Sequence, residues 1–444
     1  MPRPPFASLP EALSWLDSHI DLESSEPDRR ALPTLDRMRE LATVLGDPEQ
    51  GIPTVHVTGT NGKGSTAAMV TALLGAAGLS VGTYTSPNLA RVNERIARDG
   101  VPIDDERFTE LLSSLALLEP MLTDRPSRFE LLTAAGLAWF ADEAVDAMVV
   151  EVGMGGTWDS TNVVHGDVAV ITNISFDHTE VLGPTLEDIA RDKAGIVKPS
   201  SRVVVGETDP HLVEVIGAVA RSAGAGDLWV RGEAFACTAN RLAVGGRLVD
   251  LRTPGGTYPE VLVSMRGPHQ GENAACALAA AEAFFGGPLA AEVVEAAFAG
   301  VSVPGRLEVV GRRPLTVLDG AHNVAGMEAL AAALADEFPT GTEIVAVVGM
   351  LRGRDPSAML GALLPAGVRT VVACAPVSPR ALGAEVVAEA ARALDMSVTV
   401  AGSVEEAVER ARSLVGDDGL LLVAGSLYVV TDARRVLLEG ASRP

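Results

Sequence analysis

The segment around Lys63 constrains the fold of this chain more than any other. Three of the 35 basic residues are lysine, and this one lies in the glycine-rich stretch TGTNGKGS, residues 58–65. Residues 54–58 predict a strand, and residues 66–77 predict a helix because their apolar side chains recur at helical spacing. A strand, a glycine turn and a helix in this order predict an α/β fold, with the turn at the positive N-terminal end of the helix.

The same turn has the composition of a phosphate-binding loop. Glycines allow backbone N–H groups to approach phosphates, the ammonium of Lys63 can reach the β and γ oxygens, and the hydroxyl of Ser65 can reach Mg²⁺. A compact lysine fits such a loop better than the wide, planar arginine that this chain otherwise uses. The spacing departs from that of the common P-loop, because two residues rather than four lie between the first glycine, Gly59, and the Gly-Lys pair. In addition, Gly64 separates Lys63 from Ser65, whereas the common form has the hydroxyl residue directly after the lysine. The alternative, a flexible loop with an incidental lysine, is disfavoured by the flanking strand and helix.

Composition limits the kinds of partner that this chain can bind. With 444 residues and a net charge of −23, its surface should repel nucleic acid and anionic membranes, so we expect small-molecule partners. The three cysteines, Cys237, Cys276 and Cys374, are far apart in apolar stretches, which is typical of reduced, buried thiols. No run approaches the ~18 apolar residues that span a bilayer. We therefore predict a cytoplasmic protein that binds neither nucleic acid nor membranes, and we expect a monomer.

The pattern of strands and helices predicts two α/β domains. Residues 1–303 are expected to form a P-loop-type ATP-binding domain with a mostly parallel sheet, and residues 304–444 a smaller Rossmann-like domain. The boundary is placed at the Pro-Gly-Arg turn of residues 304–306. Buried strands are predicted near residues 81–85, 146–152, 167–173 and 202–206, and near 315–319, 343–349, 368–374, 397–401 and 418–424.

Helices are predicted between these strands and before the first of them. Residues 9–46 have a helical pattern that is broken from Ser24 to Pro33. Residues 227–263 contain short β-like pieces rich in Gly and Arg, and they predict a small antiparallel appendage. The other helices of the first domain are predicted at residues 106–119, 129–143, 185–194, 209–223 and 271–285.

Polar side chains follow several predicted strands at their carboxyl ends. Ser86, Glu151 and the pair Asp177-His178 do so in the first domain, and Asp319 does so in the second. Ligands of open parallel sheets bind at these ends, and a hydroxyl, a carboxylate and an imidazole beside a triphosphate suit Mg²⁺. Each residue alone has a simpler explanation, as a helix cap or as a solvated carboxylate. Their occurrence at successive strand ends beside a phosphate loop favours one shared site.

The other two lysines are close together in the sequence. Lys193 precedes Ala-Gly-Ile-Val, and this glycine with its apolar neighbours predicts an enclosed last turn of a helix. Lys198, which precedes a proline, is interpreted as an exposed helix lysine.

Together the motifs resemble those of the ATP-dependent Mur ligase superfamily, and specifically its folylpolyglutamate synthase/dihydrofolate synthase branch. The resemblance covers nearly the whole chain, and the order and spacing of the motifs are specific. The motifs are VTGTNGKGS (57–65), TSP (85–87), NERI (93–96), FE (129–130), EVGMGG (151–156), DSTN (159–162), DHT (177–179), KAGI (193–196), HQ (269–270), PGR (304–306), DGAHN (319–323) and GSLY (425–428).

The resemblance implies roles for individual residues. Lys193 matches a lysine that is carbamylated and helps to fix a second metal ion, which implies ATP with two Mg²⁺ ions. The implied catalytic residues are Lys63, Glu151, His178 and Lys193, and the implied metal ligands are Ser86, Glu151 and His178. The implied ATP-binding residues are Gly59, Thr60, Asn61, Gly62, Lys63, Gly64, Ser65, Asn273, Arg306, Asp319 and His322. The implied pterin pocket contains Phe129, Trp158 and Asp159, with Asp36 as a further member.

The implied reaction is ATP-dependent amide ligation. The carboxylate of dihydropteroate, or the γ-carboxylate of a reduced folate, would form an acyl phosphate that the amine of L-glutamate attacks. Closure of the second domain over ATP would keep water from this intermediate. Three positions depart from the family pattern, with Asn88 in place of His, Thr157 in place of Arg and Arg354 in place of Lys. The missing cation at position 157 concerns the binding of substrate carboxylate or pterin and leaves the ATP and metal residues unaffected.

Two other functions remain open. Another Mur ligase, one that acts on a UDP-sugar peptide, would carry a UDP-binding domain before the phosphate loop, and the few residues before Val57 leave no room for one. A non-catalytic nucleotide-binding regulator would keep the fold, but the set of Ser86, Glu151, His178 and Lys193 favours catalysis. ATP turnover that depends on a pterin and on glutamate would separate these alternatives.

Overall fold

The computed structural model describes residues 5–21, 34–339 and 341–441, which form two compact units. The first unit contains the described residues up to Ala239 together with Val249–Val261 and Glu272–Val301. The second contains Asn240–Leu248, Leu262–Gly271 and the described residues from Ser302 onward. The division into residues 1–303 and 304–444 stays a prediction. The predicted helix break from Ser24 to Pro33 lies outside the described residues.

The sheet of the first unit is mostly parallel, as predicted. Its order is β4-β3-β2-β5-β1-β6-β7-β8, with β1 between β5 and β6 and parallel to both. Every residue of β1 and β5 is buried, because helices cover both faces of such a sheet. The strands are β1 (Thr54–Thr58), β2 (Val81–Tyr84), β3 (Ile96–Arg98), β4 (Val101–Pro102), β5 (Ala147–Glu151), β6 (Val168–Ile171), β7 (Arg202–Val205) and β8 (Leu228–Val230).

The helices of the first unit begin close to the predicted positions, with one informative difference. The helix after the phosphate loop begins at Lys63, three residues earlier than predicted. Gly62 precedes it in the left-handed conformation with φ 81°, so the loop ends one residue before the lysine. The helices are α1 (Leu9–Leu16), α2 (Leu35–Val44), α3 (Lys63–Ala76), α4 (Asp105–Leu118), α5 (Arg128–Asp142), α6 (Thr179–Leu182), α7 (Leu186–Lys193), α8 (Pro210–Ala223), α10 (Ala291–Gly300) and, from Glu272 onward, α9 (His269–Phe285).

The predicted appendage at residues 227–263 is correct in part. The prediction is wrong for β8, which pairs in parallel with β7 and extends the main sheet. The rest forms a three-stranded sheet of β9 (Ala236–Ala243), β10 (Gly246–Thr253) and β11 (Gly256–Val263). Two residues connect β9 to β10 and two connect β10 to β11, and connections this short join only antiparallel strands. Three residues of β8 carry too little periodicity to reveal which sheet they join.

The second unit has a doubly wound α/β fold, which confirms the predicted Rossmann-like class. Its sheet order is β12-β13-β17-β14-β15-β16, and its antiparallel edge strand β12 was not predicted. The strands are β12 (Glu308–Arg312), β13 (Leu315–Leu318), β14 (Ile344–Val348), β15 (Thr370–Ala373), β16 (Ser397–Val400) and β17 (Leu420–Ala424). The helices are α11 (Val324–Glu337), α12 (Pro356–Leu363), α13 (Ala384–Ala393), α14 (Val404–Leu414) and α15 (Leu427–Ala441).

Candidate active site

The glycine loop between β1 and α3 is shaped by close approaches that only glycine permits. Gly59 has φ 144°, and a Cβ atom there would lie 1.8 Å from Thr172 Oγ1. A Cβ atom on Gly62 would lie 2.5 Å from Asn273 Oδ1. Gly62 supplies no side-chain cap to α3. The backbone N–H groups at the start of this helix are therefore arranged for an anion.

Residues that follow β6 clamp the loop from one side, and sequence reasoning missed them. Asn173 accepts a hydrogen bond from Asn61 N (3.0 Å) and donates through Nδ2 to Asn61 O (2.9 Å). Thr172 Oγ1 donates to the same carbonyl over 2.7 Å, and Thr60 N donates to Asn173 O over 2.9 Å. Thr172 and Asn173 lie at the carboxyl end of the strand predicted near residues 167–173, and this position was the signal that could have identified them.

Two of the three lysines meet at one carbonyl oxygen. Lys63 Nζ donates to Gly59 O (3.1 Å) and to Thr60 O (3.2 Å), and Lys193 Nζ donates to Gly59 O (2.8 Å). Lys193 is the last residue of α7 and is buried, as the sequence predicted. Burial lowers its pKa to about 7, and the positive charge of Lys63 acts in the same direction. Lys193 is therefore a lysine whose amine is readily neutral near physiological pH.

The loop after β5 packs tightly against the end of α7 and holds Lys193 in place. Thr157 donates to Asp192 O through its backbone N and through Oγ1, each over 3.0 Å. A Cβ atom on Gly156 would lie 2.7 Å from the carbonyl oxygens of Asp192 and Lys193. Burial raises the pKa of Asp192 to about 6, although the charge of Lys193 and the Thr157 hydroxyl oppose this shift. Thr157 thus helps to fasten the two segments.

Of the residues predicted as metal ligands, Ser86 and Glu151 lie at the carboxyl ends of the neighbouring strands β2 and β5, whereas His178 lies on the segment that leads from β6 to α6. Glu151 is buried at the end of β5 and accepts a hydrogen bond from Ser86 N over 3.1 Å. It also lies beside the phosphate loop, since a Cβ atom on Gly64 would be 3.5 Å from both of its carboxylate oxygens. His178 has φ 51° at the start of α6, with its Nε2 3.6 Å from Asp177 Oδ1. Across the described parts of the chain, no group of three or more His, Cys, Asp or Glu side chains forms a metal cage. A sparse donor set of this kind suits Mg²⁺, which keeps water and phosphate oxygens in its shell.

Two of the residues predicted for the pterin pocket meet at Gly153. A Cβ atom on Gly153 would lie 2.6 Å from Phe129 Cζ and 3.1 Å from Asp159 Oδ2. Phe129 is buried, and its ring lies 6.2 Å from the Tyr84 ring in a T-shaped contact, so part of this ring belongs to the core. Trp158 is partly buried and packs on the apolar cluster that contains Ile189.

Asp159 is held by several donors on its own loop. Its Oδ2 accepts from Met154 N over 2.9 Å, and its Oδ1 accepts from Thr161 N over 3.0 Å. Burial raises the pKa of Asp159, and these hydrogen bonds oppose the shift.

The surroundings of Lys198 differ from those predicted, whereas those of Asp36 leave its predicted role untested. Asp36 is exposed on α2 and pairs with Arg39 over 3.2 Å, and its place in the pocket stays a prediction. The interpretation of Lys198 as an exposed helix lysine is wrong, because α7 has already ended and Lys198 Nζ donates to Asn162 O over 3.0 Å. Burial lowers the pKa of Lys198, with a further contribution from the positive charge of Arg39.

In the second unit, three predicted ATP-binding residues surround one turn after β13. Asp319 accepts hydrogen bonds from Leu307 N (2.9 Å) and from Ala321 N (2.8 Å). A Cβ atom on Gly320 would lie 2.6 Å from a terminal nitrogen of Arg306. His322 Nδ1 lies 2.8 Å from Gly320 O. The structure thus brings these three residues together within their own unit.

Nearly the whole chain is similar to proteins of known family. Residues 57–281 match the Mur ligase middle domain, and residues 305–427 match the Mur ligase glutamate ligase domain. The dihydrofolate synthase/folylpolyglutamate synthase of Mycobacterium tuberculosis is 39% identical over 430 residues, covering 92% of this chain and 88% of the relative. The protein of the same name from Bacillus subtilis is 33% identical, covering 97% of this chain and 100% of the relative. The solved structure of Mycobacterium tuberculosis folylpolyglutamate synthase complexed with ADP has a TM-score of 0.89 at 37% identity, covering 97% of this chain and 98% of that one.

Proposed function

Because this chain belongs to the folylpolyglutamate synthase/dihydrofolate synthase branch of the Mur ligase family, we propose that it joins L-glutamate to a pterin-containing carboxylate while ATP is converted to ADP and phosphate. The proposed acceptors are dihydropteroate, which gives dihydrofolate, and the terminal γ-carboxylate of reduced folates, which gives polyglutamates. The names of the relatives and their high coverage support both acceptors.

The convergence of Lys63 and Lys193 on the Gly59 carbonyl carries this proposal. The ammonium of Lys63 lies 3.1 Å from this oxygen, with the Lys193 nitrogen 2.8 Å from the same atom, and together with the uncapped start of α3 it forms a local positive field in a chain of net charge −23. Such a field suits the phosphates of a nucleotide. The ADP bound by the Mycobacterium tuberculosis enzyme supports an adenine nucleotide as the ligand.

The proposed reaction has two steps. A carboxylate oxygen of the pterin substrate attacks the γ-phosphorus of ATP, so the acyl phosphate forms and ADP leaves. The amine nitrogen of L-glutamate then attacks the acyl carbon, the amide bond forms, and phosphate leaves as the nitrogen loses a proton. Lys63 would stabilise the charge that spreads over the transferring phosphoryl oxygens, since a fixed cation needs little reorganisation during the step.

Ser86, Glu151 and His178 would hold Mg²⁺ beside the phosphates. A hydroxyl, a carboxylate and an imidazole are a small donor set, which leaves room for the water and phosphate oxygens that complete the shell of this ion. Bound Mg²⁺ supplies neutralisation of phosphate charge. The hydrogen bond that Glu151 accepts from Ser86 N fixes the direction of its carboxylate.

We further propose that Lys193 is carbamylated. Its neutral amine would attack the carbon of CO₂, forming an N–C bond and releasing a proton, which turns the lysine into an anionic oxygen ligand for a second ion. The pKa of about 7 supports this, because an appreciable fraction of the amine is neutral near pH 7. Arginine could not replace it, since a guanidinium stays protonated.

The remaining assignments concern the two substrates. We assign Phe129, Trp158 and Asp159 to the pterin, whose planar face suits aromatic contact and whose donor edge suits a carboxylate. Asn273, Arg306, Asp319 and His322 are assigned to ATP. Asn273 packs directly on Gly62 of the phosphate loop, which supports its part in that set.

One assay tests the function. ADP release is measured with ATP, Mg²⁺ and L-glutamate, and with either dihydropteroate or tetrahydrofolate as the acceptor. Turnover with both is expected. Turnover with dihydropteroate alone would reduce the assignment to a dihydrofolate synthase, and turnover with neither acceptor would overturn the folate assignment.

A further inference from the structure

A buried chain of hydrogen bonds connects strand β1 to the proposed pterin carboxylate. His56 Nε2 lies 2.9 Å from Thr161 Oγ1, and Thr161 Oγ1 donates to Asp159 Oδ1 over 2.5 Å. His56 and Thr161 are fully buried, and Asp159 is almost so. His56 lies in the middle of β1, two residues before this strand ends, whereas Asp159 lies on the loop after β5. The hydrogen bonds therefore link two separate segments of the protein.

The direction of these hydrogen bonds follows from the donors present. The Thr161 hydroxyl has one hydrogen, and Asp159 also accepts from the backbone N–H groups of Met154 and Thr161, which favours its charged form. The hydroxyl hydrogen therefore goes to Asp159. His56 must then donate its Nε2–H to Thr161, which leaves Nδ1 as the nitrogen without a hydrogen.

The surroundings of the histidine agree with this tautomer. Its Nδ1 is buried and has no hydrogen-bond partner. An unpaired N–H at that position would be harder to accommodate than an unpaired acceptor. Burial lowers the pKa of His56 to about 3, and the charge of Lys198 acts in the same direction, so the ring is neutral.

We propose that His56 is a positioning residue for the pterin substrate, because its Nε2–H commits the Thr161 hydroxyl to Asp159 and so fixes the direction of that carboxylate. The proposal rests on the proposed function in one respect, the assignment of Asp159 to the pterin. With Oδ1 bonded to two Thr161 donors and Oδ2 to Met154 N, the lone pair that remains on Oδ2 has a fixed direction, in which a donor of a planar heterocycle can be recognised.

A purely structural role for His56 is the competing explanation. A buried imidazole with one unpaired nitrogen costs desolvation free energy, and an apolar side chain of similar size would fill the same space without that cost. What histidine adds at this position is the donor that faces Thr161. The two explanations differ in what they predict for substrate binding.

The first test compares two substitutions of His56 in the full chain. His56→Leu removes the donor, whereas His56→Gln keeps an N–H the same number of bonds from Cβ. We expect His56→Leu to raise KM for dihydropteroate about five- to tenfold, as for the loss of one hydrogen bond that orients a binding group, with kcat and KM for ATP little changed. His56→Gln should restore most of the lost binding. The matched control is His19→Leu, which also removes a buried histidine but one bonded to Glu119, and it should leave both KM values unchanged.

The second test covers the case in which His56→Leu does not fold. Thr161→Val should raise KM for dihydropteroate by at least as much, and Thr161→Ser should restore it. Thr71→Val removes a comparable buried hydroxyl contact, with Thr83 over 2.8 Å, and should not change KM. If His56 acts through Thr161, the double variant His56→Leu/Thr161→Val should bind dihydropteroate no worse than Thr161→Val alone.

The outcomes separate this inference from the function on which it rests. An unchanged KM for dihydropteroate in His56→Leu, or an equal rise in KM for ATP, would overturn the positioning role. If Asp159→Asn raises KM while His56→Leu does not, only the role of His56 fails. If Asp159→Asn has no effect on pterin binding, the proposed pocket itself fails.

Discussion

Two strand–loop–helix segments of this protein share one order of elements and differ in helix capping and in the charged residues around the loop. The phosphate loop leads from β1 into α3, and the turn of residues 319–323 leads from β13 into α11. α3 has no side-chain cap at Gly62, whereas α11 is capped by Asn323, whose Oδ1 accepts from Gly326 N over 2.8 Å. The first segment therefore keeps its helix N–H groups for an anion, and the second satisfies one of them internally.

The charged residues sharpen the contrast. Lys63 brings positive charge to the first segment at the Gly59 carbonyl. In the second, Asp319 accepts two backbone N–H groups, and a terminal nitrogen of Arg306 lies where a Cβ atom on Gly320 would be only 2.6 Å away, so charges of both signs meet at this turn. The common α/β architecture thus provides the place for a ligand, while the capping residue and the nearby charges decide which part of the ligand each turn suits.

The largest expected effect comes from removing the cation of the phosphate loop. Lys63→Ala should lower kcat/KM by about 10²–10³, or about 3–4 kcal/mol, because a preorganised charge contact to the transferring phosphoryl group is lost. ADP release measures the effect, and circular dichroism checks that the variant is folded. Near-normal turnover by a folded variant would remove Lys63 from the mechanism.

Lys193→Ala should also be nearly inactive, by about 10²-fold, if the carbamate supplies a metal ligand. A short carboxylic acid should partly rescue it by occupying the vacated space. In the wild type, recovery of CO₂-depleted enzyme on addition of bicarbonate should become weaker as pH falls below about 7, because the amine then takes up a proton and loses its nucleophilic lone pair. Full activity without bicarbonate, together with an unmodified Lys193 in a Mg-ATP complex, would contradict the carbamate.

A smaller effect is expected when the turn itself is altered. Gly62→Ala should reduce the free energy of unfolding by about 1–3 kcal/mol and raise KM for ATP, because φ is 81° and the new Cβ would lie 2.5 Å from Asn273 Oδ1. Chemical denaturation and ATP-dependent kinetics measure the two effects. Gly75→Ala is the matched control, since its Cβ would meet nothing within 4 Å in the same helix. Equal behaviour of the two variants would show that the loop conformation is not required.

The smallest effect is expected at the capped helix. Asn323→Ala should reduce stability by about 1 kcal/mol, because one helix N–H loses its partner. Ser403→Ala, which removes the cap of α14, should have an effect of similar size on thermal unfolding. A much smaller loss of stability for Asn323→Ala would mean that α11 does not need a side-chain cap, as α3 does not have one.

Local sequence determined most of the strands and helices and the identity of the phosphate loop. Apolar periodicity and glycine spacing act over a few residues, so β1, α3 and the parallel strands of both units could be predicted without knowing the tertiary fold. Lys193 could also be recognised as enclosed, because the residues that follow it signal burial. The short strand β8 could not be assigned, since three residues do not specify a sheet.

Only the tertiary structure decided which distant side chains meet. It brought Lys193 to the Gly59 carbonyl, turned Lys198 inward to Asn162, and joined His56 to Asp159 through Thr161. No periodic pattern in the sequence predicts these contacts, because each of them joins segments that are far apart in the sequence and that the order of strands in the sheet brings together. The sequence therefore determined which chemical groups are present and where each strand ends, whereas sheet order and loop packing determined their distances, hydrogen-bond directions and pKa values.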